Sequence, residues 1–381
     1  MQLIVASIPL FFILIGIELV ASLALERRVY RFADSFADLG CGMVEQLLGV
    51  LVKGALFAAY LAIYQNARLF SLAESWLVYA ACFVGVDFLY YWFHRTSHEV
   101  GAFWAAHSVH HQSEEYNLTV ALRQGAFQGF FSWMFYLPLA IFGFAPSMFI
   151  TCSALNTLYQ FWIHTRLIGK LGPLEWVLNT PSHHRVHHGR NPRYIDRNHA
   201  GALIIWDRMF GTFVPETDEP VYGVVKPLKS INPLWANFAG WADLWSVARR
   251  SRQLKDRLAP LVAPPGWRPH EMGGPLKAPE VTRAMAPPIE FPASRMMTAY
   301  ALVNLVVILA GTAVLLSRAA AIDRTTFSIL AGVIVVSLAV LALVLEGRRA
   351  GRVLEIARVV LLLALGSAFG PGVLGRLFGN P

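Results

Sequence analysis

Apolar residues fill six stretches of this chain, and each is about as long as a helix that crosses a bilayer. Such a helix needs roughly 20 predominantly apolar residues to cover the hydrocarbon core. The composition agrees, because 56% of the residues are hydrophobic and 15% are charged, which excludes an ordinary soluble globule. The pattern therefore predicts an all-α, polytopic integral membrane protein. The six predicted spans are 2–25, 45–64, 75–93, 297–317, 326–345 and 353–369.

A further apolar segment, 126–164, is interrupted near its middle by Gly143 and Pro146. Because glycine and proline interrupt helices, the segment predicts a hairpin that dips into or crosses the bilayer. The hairpin would return His164 to the side of the membrane from which it started. The alternative is a pair of helices buried in a soluble domain.

Basic residues beside the spans predict the orientation of the chain. The first stretch is expected to stay as an anchor, because it has no basic leader and no clear cleavage site. Arg27, Arg28 and Arg31 follow it directly, and the positive-inside rule places this loop in the cytoplasm. Two further spans bring His94 back to the cytoplasmic side. Arg348, Arg349 and Arg352, in the loop between the last two predicted spans, support this orientation. Arg318 and Arg324, in the preceding outer loop, weaken the support.

Changes in composition divide the chain into four regions. An N-terminal membrane anchor, 1–93, precedes a region that holds every clustered histidine and the hairpin, 94–213. A proline-rich linker, 214–292, follows it. The C-terminal membrane bundle, 293–381, has few ionisable residues inside its spans, so it is expected to anchor, shape or oligomerise the protein.

The linker contains the segment 235–258, in which three tryptophans precede five basic residues. This mixture is typical of a helix that lies in the headgroup zone of a membrane. The alternative is an amphipathic helix packed on the core. Attraction to anionic lipid headgroups also explains the net charge of +8 without a nucleic-acid partner. His270 stands alone in the linker and is expected to be solvated.

Ten of the 12 histidines form three tight groups and one outlier, His164. The groups are written HRTSH at 94–98, HSVHH at 107–111 and HHRVHH at 183–188. Side chains three and four residues apart share one face of a helix, so each group can direct two or three imidazoles at one point. The sequence therefore predicts a metal site.

The number and type of these ligands narrow the choice of metal. Eight to ten imidazoles overfill one zinc, which takes three or four protein ligands, but suit two metals with five or six ligands each. HRTSH lacks the glutamate of the metalloprotease motif HExxH. Cys41, Cys82 and Cys152 lie in apolar segments without CxxC spacing and are expected to be core residues. Non-haem iron is the best match.

Several other residues near the groups are candidates for the site. Asp87 lies on an apolar helix, where an ionisable side chain is usually functional or paired. Glu99, Glu114 and Glu115 could accept the second ring N–H of a ligand histidine, although solvation is the simpler explanation for the last two. His183 could be a ligand or a hydrogen-bonded neighbour of one. His199 lies outside the helical spacing and is not expected to be a ligand.

The three histidine motifs, with the segment NHAGALIIWDRMFGTF that follows them, resemble the fatty acid hydroxylase and sterol desaturase superfamily over about 80–214. The stretches HEVGAFWAAHSVHHQSEEYNLTVALRQG, LYQFWIHT and LGPLEWVLNTPSHHRVHHGRN are most similar to its ether-lipid-cleaving, alkylglycerol monooxygenase branch. At His199 the chain departs from its relatives, which usually have tyrosine. The resemblance implies a cytoplasm-facing diiron centre with the ligands His94, His98, His107, His110, His111, His184, His187 and His188, joined by His164.

The resemblance also implies the reaction. Members of the superfamily activate dioxygen and insert one oxygen atom into a C–H bond of a lipid that enters from the bilayer. In the ether-lipid branch tetrahydrobiopterin donates the electrons, and hydroxylation beside the ether oxygen gives a hemiacetal that collapses to a fatty aldehyde and a glycerol derivative. Glu99 matches an acidic position of that branch, and together with Asp87 it is our candidate for a catalytic or pterin-binding carboxylate. No GxGxxG motif for a nicotinamide or flavin stands out, so the electron donor is expected to be diffusible or a partner protein.

Three other functions stay open on the sequence alone. A sterol or fatty-acid hydroxylase or desaturase would use the same iron site. A histidine-rich metal transporter would need ligands near the middle of the membrane, whereas these groups lie at or beyond the ends of spans. A lipid-binding scaffold with a decayed site would be expected to lack some of the histidines.

Overall fold

The computed structural model describes residues 2–378, and this range folds into helices without a β-strand. Short 3-10 helices at Val120–Leu122, Trp133–Tyr136, Gly172–Trp176 and His270–Met272 join some of the α-helices. The α-helices of the described range are α1 (Gln2–Ala24), α2 (Phe32–Ala67), α3 (Trp76–Glu99), α4 (Gly101–His111), α5 (Gly129–Ser132), α6 (Leu137–Phe142), α7 (Pro146–Trp162), α8 (Pro181–His187), α9 (Ile205–Met209), α10 (Pro233–Arg250), α11 (Leu254–Val262), α12 (Arg295–Ser317), α13 (Arg324–Leu345) and α14 (Arg349–Phe378).

Five of these helices are long and apolar enough to cross a membrane: most of α1, and all of α2, α3, α12 and α13. They coincide with five of the six predicted spans and confirm an all-helical integral membrane protein. The sixth prediction, 353–369, falls on α14, and part of it lies outside the residues whose side chains are described.

Helix α2 is longer than the sequence pattern predicts. It has 36 residues, well above the roughly 20 that cross a bilayer. Asp34 and Asp38 in its first turns interrupt the apolar pattern, so the predicted span begins only at residue 45. Phe36, Asp38 and Cys41 are nevertheless fully buried, because the histidine region covers these turns. The extra length is therefore packed in protein and not in lipid.

The segment 126–164 is a hairpin, as its pattern predicts. Its first arm, Gly129–Phe142, is apolar but shorter than a membrane span. Gly143 ends α6 with φ +95°, where a Cβ atom would lie 2.0 Å from the carbonyl oxygen of Phe70, so the turn requires glycine. Helix α7 then leads back to His164. Phe130 and Phe142 expose 42% and 52% of their surface, which favours lipid over water around the hairpin.

Helix α4 is held against the linker by two close backbone approaches. At its start, Gly101 donates its N–H to the carbonyl oxygen of Ala263 at 2.9 Å, and a Cβ atom there would lie 2.0 Å from the Pro260 oxygen. Near its middle, Ala105 lies against Gly240 of α10, where a Cβ atom would be 2.8 Å from the Ala105 Cα. The linker helices therefore fix the position of the helix that carries three of the clustered histidines.

Candidate metal centre

Ends of helices carry the clustered histidines. The last turns of α3 hold His94 and His98, and the last turns of α4 hold the group at 107–111. His164 follows α7 directly. Helix α8 begins with Pro181, a residue well suited to the first turn of a helix, and presents its histidines within two turns. Four helix ends thus meet beside the membrane-spanning segments.

Nine histidines converge in two groups, and all nine are buried. Within each group, one nitrogen from every ring lies within 4.8 Å of the corresponding nitrogens of the others. The groups adjoin, since the rings of His111 and His188 stack with centroids 4.4 Å apart. The five-histidine group is His94, His98, His107, His111 and His187, and the four-histidine group is His110, His164, His184 and His188.

Hydrogen bonds to one ring nitrogen fix the orientation of most of these rings. In five of them Nδ1 lies 2.7–3.0 Å from a carbonyl-type oxygen, which can only accept, so Nδ1 carries the proton and Nε2 presents its lone pair. The pairs are His94 with His199 O, His107 with Gln128 Oε1, His110 with Arg123 O, His164 with Gln160 O, and His187 with Arg197 O.

These tautomers bring lone pairs face to face. The Nε2 atoms of His94 and His107 are 3.0 Å apart, and those of His110 and His164 are 3.3 Å apart. Neither contact is a hydrogen bond, because both protons lie on the opposite nitrogens. Two buried lone pairs at this distance repel unless a cation lies between them. Nε2 of His98, His187 and His188 is also buried without a hydrogen-bond partner, so the residues fit metal ions.

The spacing also bears on the type of metal. A metal–imidazole bond of about 2.1 Å places two ligand nitrogens about 3.0 Å apart at 90° and about 3.4 Å apart at a tetrahedral angle. The Nε2 atoms of His164 and His184 are 3.0 Å apart, as are those of His94 and His107. A group of five imidazoles also exceeds the four ligands of structural zinc. The five-histidine group is therefore suited to a metal with more than four ligands, whereas the four-histidine group, with a pair at 3.3 Å, is compatible with either geometry.

Burial keeps these imidazoles neutral, which is the form that binds a metal. Desolvation lowers the pKa of His107 to about 3 and that of His164 to about 4. The pKa values of His184 and His188 are lowered well below the usual value by burial and by neighbouring imidazoles. The metal-binding form thus persists at physiological pH.

Asp87 is fully buried, but it does not contact the clustered histidines. Its carboxylate accepts hydrogen bonds from the backbone N–H groups of Ala202 and Leu203, from the Asn156 amide and from the Trp206 indole. These donors satisfy the carboxylate and fix the chain at 201–206. The sequence pattern predicted that this carboxylate is functional or paired, and in the structure four neutral donors surround it.

Asp207 is a residue that the sequence analysis did not single out. It accepts the N–H groups of His199 and Ala200 and the hydroxyl of Thr212, and burial raises its pKa to about 6. Asp87 and Asp207 thereby shape one short loop from both sides. The carbonyl of His199 in that loop orients the ring of His94.

The other candidate residues lie away from the two groups. Glu99 is exposed and pairs with Arg95 at 2.8 Å. Glu115 is buried but binds Arg283 at 2.8 Å and no histidine. His183 faces Glu175 and the ring of Phe213, one helix position away from the converging face. His270, in the linker, forms no part of either group.

His199 lies closer to the site than its spacing suggests. It is fully buried, and its ring centroid is 5.1 Å from that of His98 and 5.7 Å from that of His187. Both of its ring nitrogens lack a hydrogen-bond partner in the described part of the chain. The structure nevertheless does not bring it into the five-histidine group.

Comparison with known proteins agrees with this centre. The fatty acid hydroxylase family profile matches residues 79–212, which contain all nine converging histidines. Alkylglycerol monooxygenases from Xenopus tropicalis, Homo sapiens and Danio rerio are 40%, 38% and 39% identical to the chain over 93%, 94% and 94% of its length. The alignments cover 80%, 81% and 80% of those relatives.

The chain belongs to the alkylglycerol monooxygenase family. This membership confirms the resemblance drawn from the histidine motifs and identifies the protein as an oxidoreductase of the monooxygenase type. No solved structure matches the chain significantly.

Proposed function

We propose that the protein is a membrane-bound diiron monooxygenase that hydroxylates an alkylglycerol and releases a fatty aldehyde and a glycerol derivative. The observation that carries the proposal is the pair of adjoining histidine groups with lone pairs turned inward. Relatives named alkylglycerol monooxygenase that align over most of the chain support the substrate.

The nine converging histidines would hold the two irons, five at one and four at the other. Iron would supply the one-electron and dioxygen chemistry of the reaction. The chain itself fixes the ring tautomers through the carbonyl oxygens around the site. It also excludes water, since every one of the nine imidazoles is buried, which protects a reactive centre from side reactions.

The balance of the reaction requires an electron donor. One atom of dioxygen enters the C–H bond beside the ether oxygen, and the other leaves as water with two electrons and two protons. Tetrahydrobiopterin is the donor we propose. The hydroxylated ether is a hemiacetal, and its C–O bond breaks to leave the aldehyde and the free glycerol hydroxyl.

We place the site on the cytoplasmic side. The loop after α1, which carries the early arginines, packs directly on the histidine region. Asn117 donates to the carbonyl oxygen of Val29 at 2.7 Å, and Arg31 donates to the carbonyl oxygen of Ile289 at 2.6 Å. The basic loop and the site therefore share one side of the membrane, and the positive-inside rule makes that side cytoplasmic. The lipid would enter from the bilayer around the apolar hairpin.

Turnover of a labelled alkylglycerol by the purified, iron-loaded protein tests this proposal. Fatty aldehyde should appear only when both dioxygen and tetrahydrobiopterin are present. His270→Ala is the matched control, because His270 lies outside the site and should turn over as the wild type does. Protein that holds two irons and forms no aldehyde would contradict the substrate, and sterols and fatty acids would be tested next. Protein that binds no iron would contradict the diiron centre itself.

A further inference from the structure

The linker helices α10 and α11 enclose an open groove of about 560 Å³. This volume lies in the range of sites that bind small molecules, roughly 300–1,000 Å³. Apolar side chains form most of its walls, including Trp245, Leu258 and Leu261. Trp245 and Leu258 expose 68% and 56% of their surface. Large exposed apolar surfaces of this kind indicate a partner or a membrane.

The groove also contains unused hydrogen-bond donors. Trp241 contributes its ring to the wall of the groove. Arg249 and Arg257 lie at the groove, and neither forms an ion pair with an acidic side chain within residues 2–378. Arg257 uses only its Nε, which donates to the carbonyl oxygen of Ser251 at 3.1 Å. An anionic acceptor would satisfy both guanidinium groups.

The residues that precede α10 contact the C-terminal end of the span α13. The start of α10 is bonded to the end of the span α13, because Ile231 donates its N–H to Glu346 at 3.0 Å and Asn232 donates to the Ala339 carbonyl oxygen. Helix α13 ends at Leu345, so α10 begins at the level where that span leaves the hydrocarbon. Tryptophan and arginine beside each other are typical of this zone.

We propose that the α10–α11 groove binds one anionic phospholipid of the surrounding bilayer. The headgroup phosphate would accept hydrogen bonds from the guanidinium groups of Arg249 and Arg257. One acyl chain would lie against Leu258 and Leu261. Charge complementarity selects this occupant, since an apolar wall beside two unpaired cations matches a lipid with a negatively charged headgroup.

The inference does not depend on the proposed function, because an alkylglycerol has no charge to pair with the arginines. A lipid bound in the groove would contact both α10 and α11. Helix α10 approaches the backbone of α4 at Gly240, and α11 approaches it at Gly101. The bound lipid would therefore support the position of α4 and of the histidines on it.

Native mass spectrometry of the full-length protein in detergent, titrated with phosphatidylglycerol or phosphatidylcholine, tests the proposal. The wild type should retain one phosphatidylglycerol at least about tenfold more tightly than phosphatidylcholine. The double variant Arg249→Gln/Arg257→Gln should lose about tenfold to thirtyfold in phosphatidylglycerol affinity. Each single variant, Arg249→Gln or Arg257→Gln, should lose about fivefold.

The matched control is Arg250→Gln/Arg252→Gln, which removes the same charge from the same segment outside the groove. It should retain the tight phosphatidylglycerol. An equal loss in both double variants would overturn the proposal, because general attraction to anionic lipid would then explain the binding. Displacement of the lipid by millimolar glycerol 3-phosphate would also overturn it, since the acyl chain would then contribute nothing. Iron content and elution volume confirm that each variant is folded, and the single variants Arg249→Gln and Arg257→Gln remain as tests if the double variant is not.

Discussion

The five-histidine and four-histidine groups lie side by side, but different parts of the chain orient their rings. In the five-histidine group, His94 and His187 donate to carbonyl oxygens of the loop 196–199, and His98 Nδ1 lies 3.5 Å from Asp196. In the four-histidine group the corresponding acceptors come from Arg123 and Gln160, which lie on separate elements. Three of the five rings at one metal position thus contact a single loop, while His107 is held by Gln128; at the other position the acceptors are distributed over separate elements.

The loop 196–199 is built under strain and held by many bonds. Asp196 and Asn198 have φ values of +56° and +55°, which cost free energy for residues other than glycine. The side chain of Asn198 donates to the carbonyl oxygens of His183 and Val214 and accepts the N–H of Val214. Changes in this loop should therefore weaken the five-histidine group first.

The largest expected effect is the loss of one metal ion when a histidine of either group is removed. His187→Ala and His184→Ala should each leave at most one iron per chain. Turnover should fall by more than about 100-fold, because loss of a residue that only supports a ligand already lowers activity by up to about that factor. Metal analysis and aldehyde release from membrane-inserted protein measure both quantities. Full iron and activity in either variant would contradict the ligand assignment.

His183→Ala is the matched control for these variants, because it lies on the same short helix and outside both groups. It should keep two irons. If it loses one, His183 is a ligand after all, and the helical face has been assigned incorrectly.

Acidification should release the metals and destabilise the metal-free protein. Burial lowers the folded-state pKa of His107 to about 3 and of His164 to about 4, against about 6.5 in the unfolded chain. Below pH 6.5 the unfolded state therefore binds more protons than the folded state. As the pH decreases, the free energy of unfolding falls by about 1.4 kcal/mol per pH unit for each such imidazole. This loss continues to about pH 3 for His107 and to about pH 4 for His164. Buried carboxylates with raised pKa values oppose this loss: Asp207, whose pKa is raised to about 6, and Glu114 and Glu115.

Thermal unfolding of the iron-free protein between pH 8 and pH 5 measures this dependence. The midpoint should stay nearly constant above pH 7 and fall below pH 6.5. A midpoint that rises on acidification would show that the clustered imidazoles are not kept neutral by the fold.

Asp87→Asn should have a smaller and selective effect. The amide places an N–H₂ group where the carboxylate accepts four donors, and leaving buried donors unsatisfied costs about 1–3 kcal/mol. The loop that orients His94 should loosen, so the affinity of one iron should fall about tenfold while the other is unchanged. Chelator titration should then release iron in two separated steps. Activity should recover at saturating iron, since a positioning residue is not required for the chemistry itself.

An unchanged single release step would contradict the connection between Asp87 and the five-histidine group. Glu99→Gln is the matched carboxylate control, because Glu99 is exposed and pairs only with Arg95. Loss of activity in that variant, with iron retained, would instead support the pterin-binding role expected from its sequence position.

Apolar length predicted five spans that the structure contains, and helical spacing predicted eight of the nine converging histidines. His164 was expected from the hairpin that precedes it. The sequence could not separate His183 from His184, since adjacent helix positions differ only in direction and the direction of α8 is set by tertiary packing. It named Glu99, Glu114 and Glu115 as candidate acceptors of the second ring N–H groups, whereas backbone carbonyls accept four of the five such bonds in the described residues. Carbonyl oxygens are present at every position, so no residue pattern marks the ones that are used.

Asp207 and Gln128 were missed for a related reason. Asp207 accepts hydrogen bonds from His199, Ala200 and Thr212, and Gln128 accepts one from the ring of His107. No residue pattern in the sequence marks either set of contacts. Asp87 was found because a carboxylate on an apolar helix breaks the hydrophobic pattern. Its role still required the structure, which shows that its partners are donors of a loop more than 100 residues away.

The smallest expected effect belongs to His199→Phe, which tests where the five-histidine group ends. The ring of His199 lies beside His98 and His187, yet neither of its nitrogens has a hydrogen-bond partner. Removing unsatisfied buried nitrogens while keeping an apolar ring should change the stability by less than about 1 kcal/mol. Both irons should remain, and the absorption spectrum of the iron centre should be unchanged. If one iron is lost, His199 is a sixth imidazole ligand of the five-histidine group. That metal position would then have six histidines and the other four. The strained loop would contribute a ligand as well as orienting the neighbouring rings.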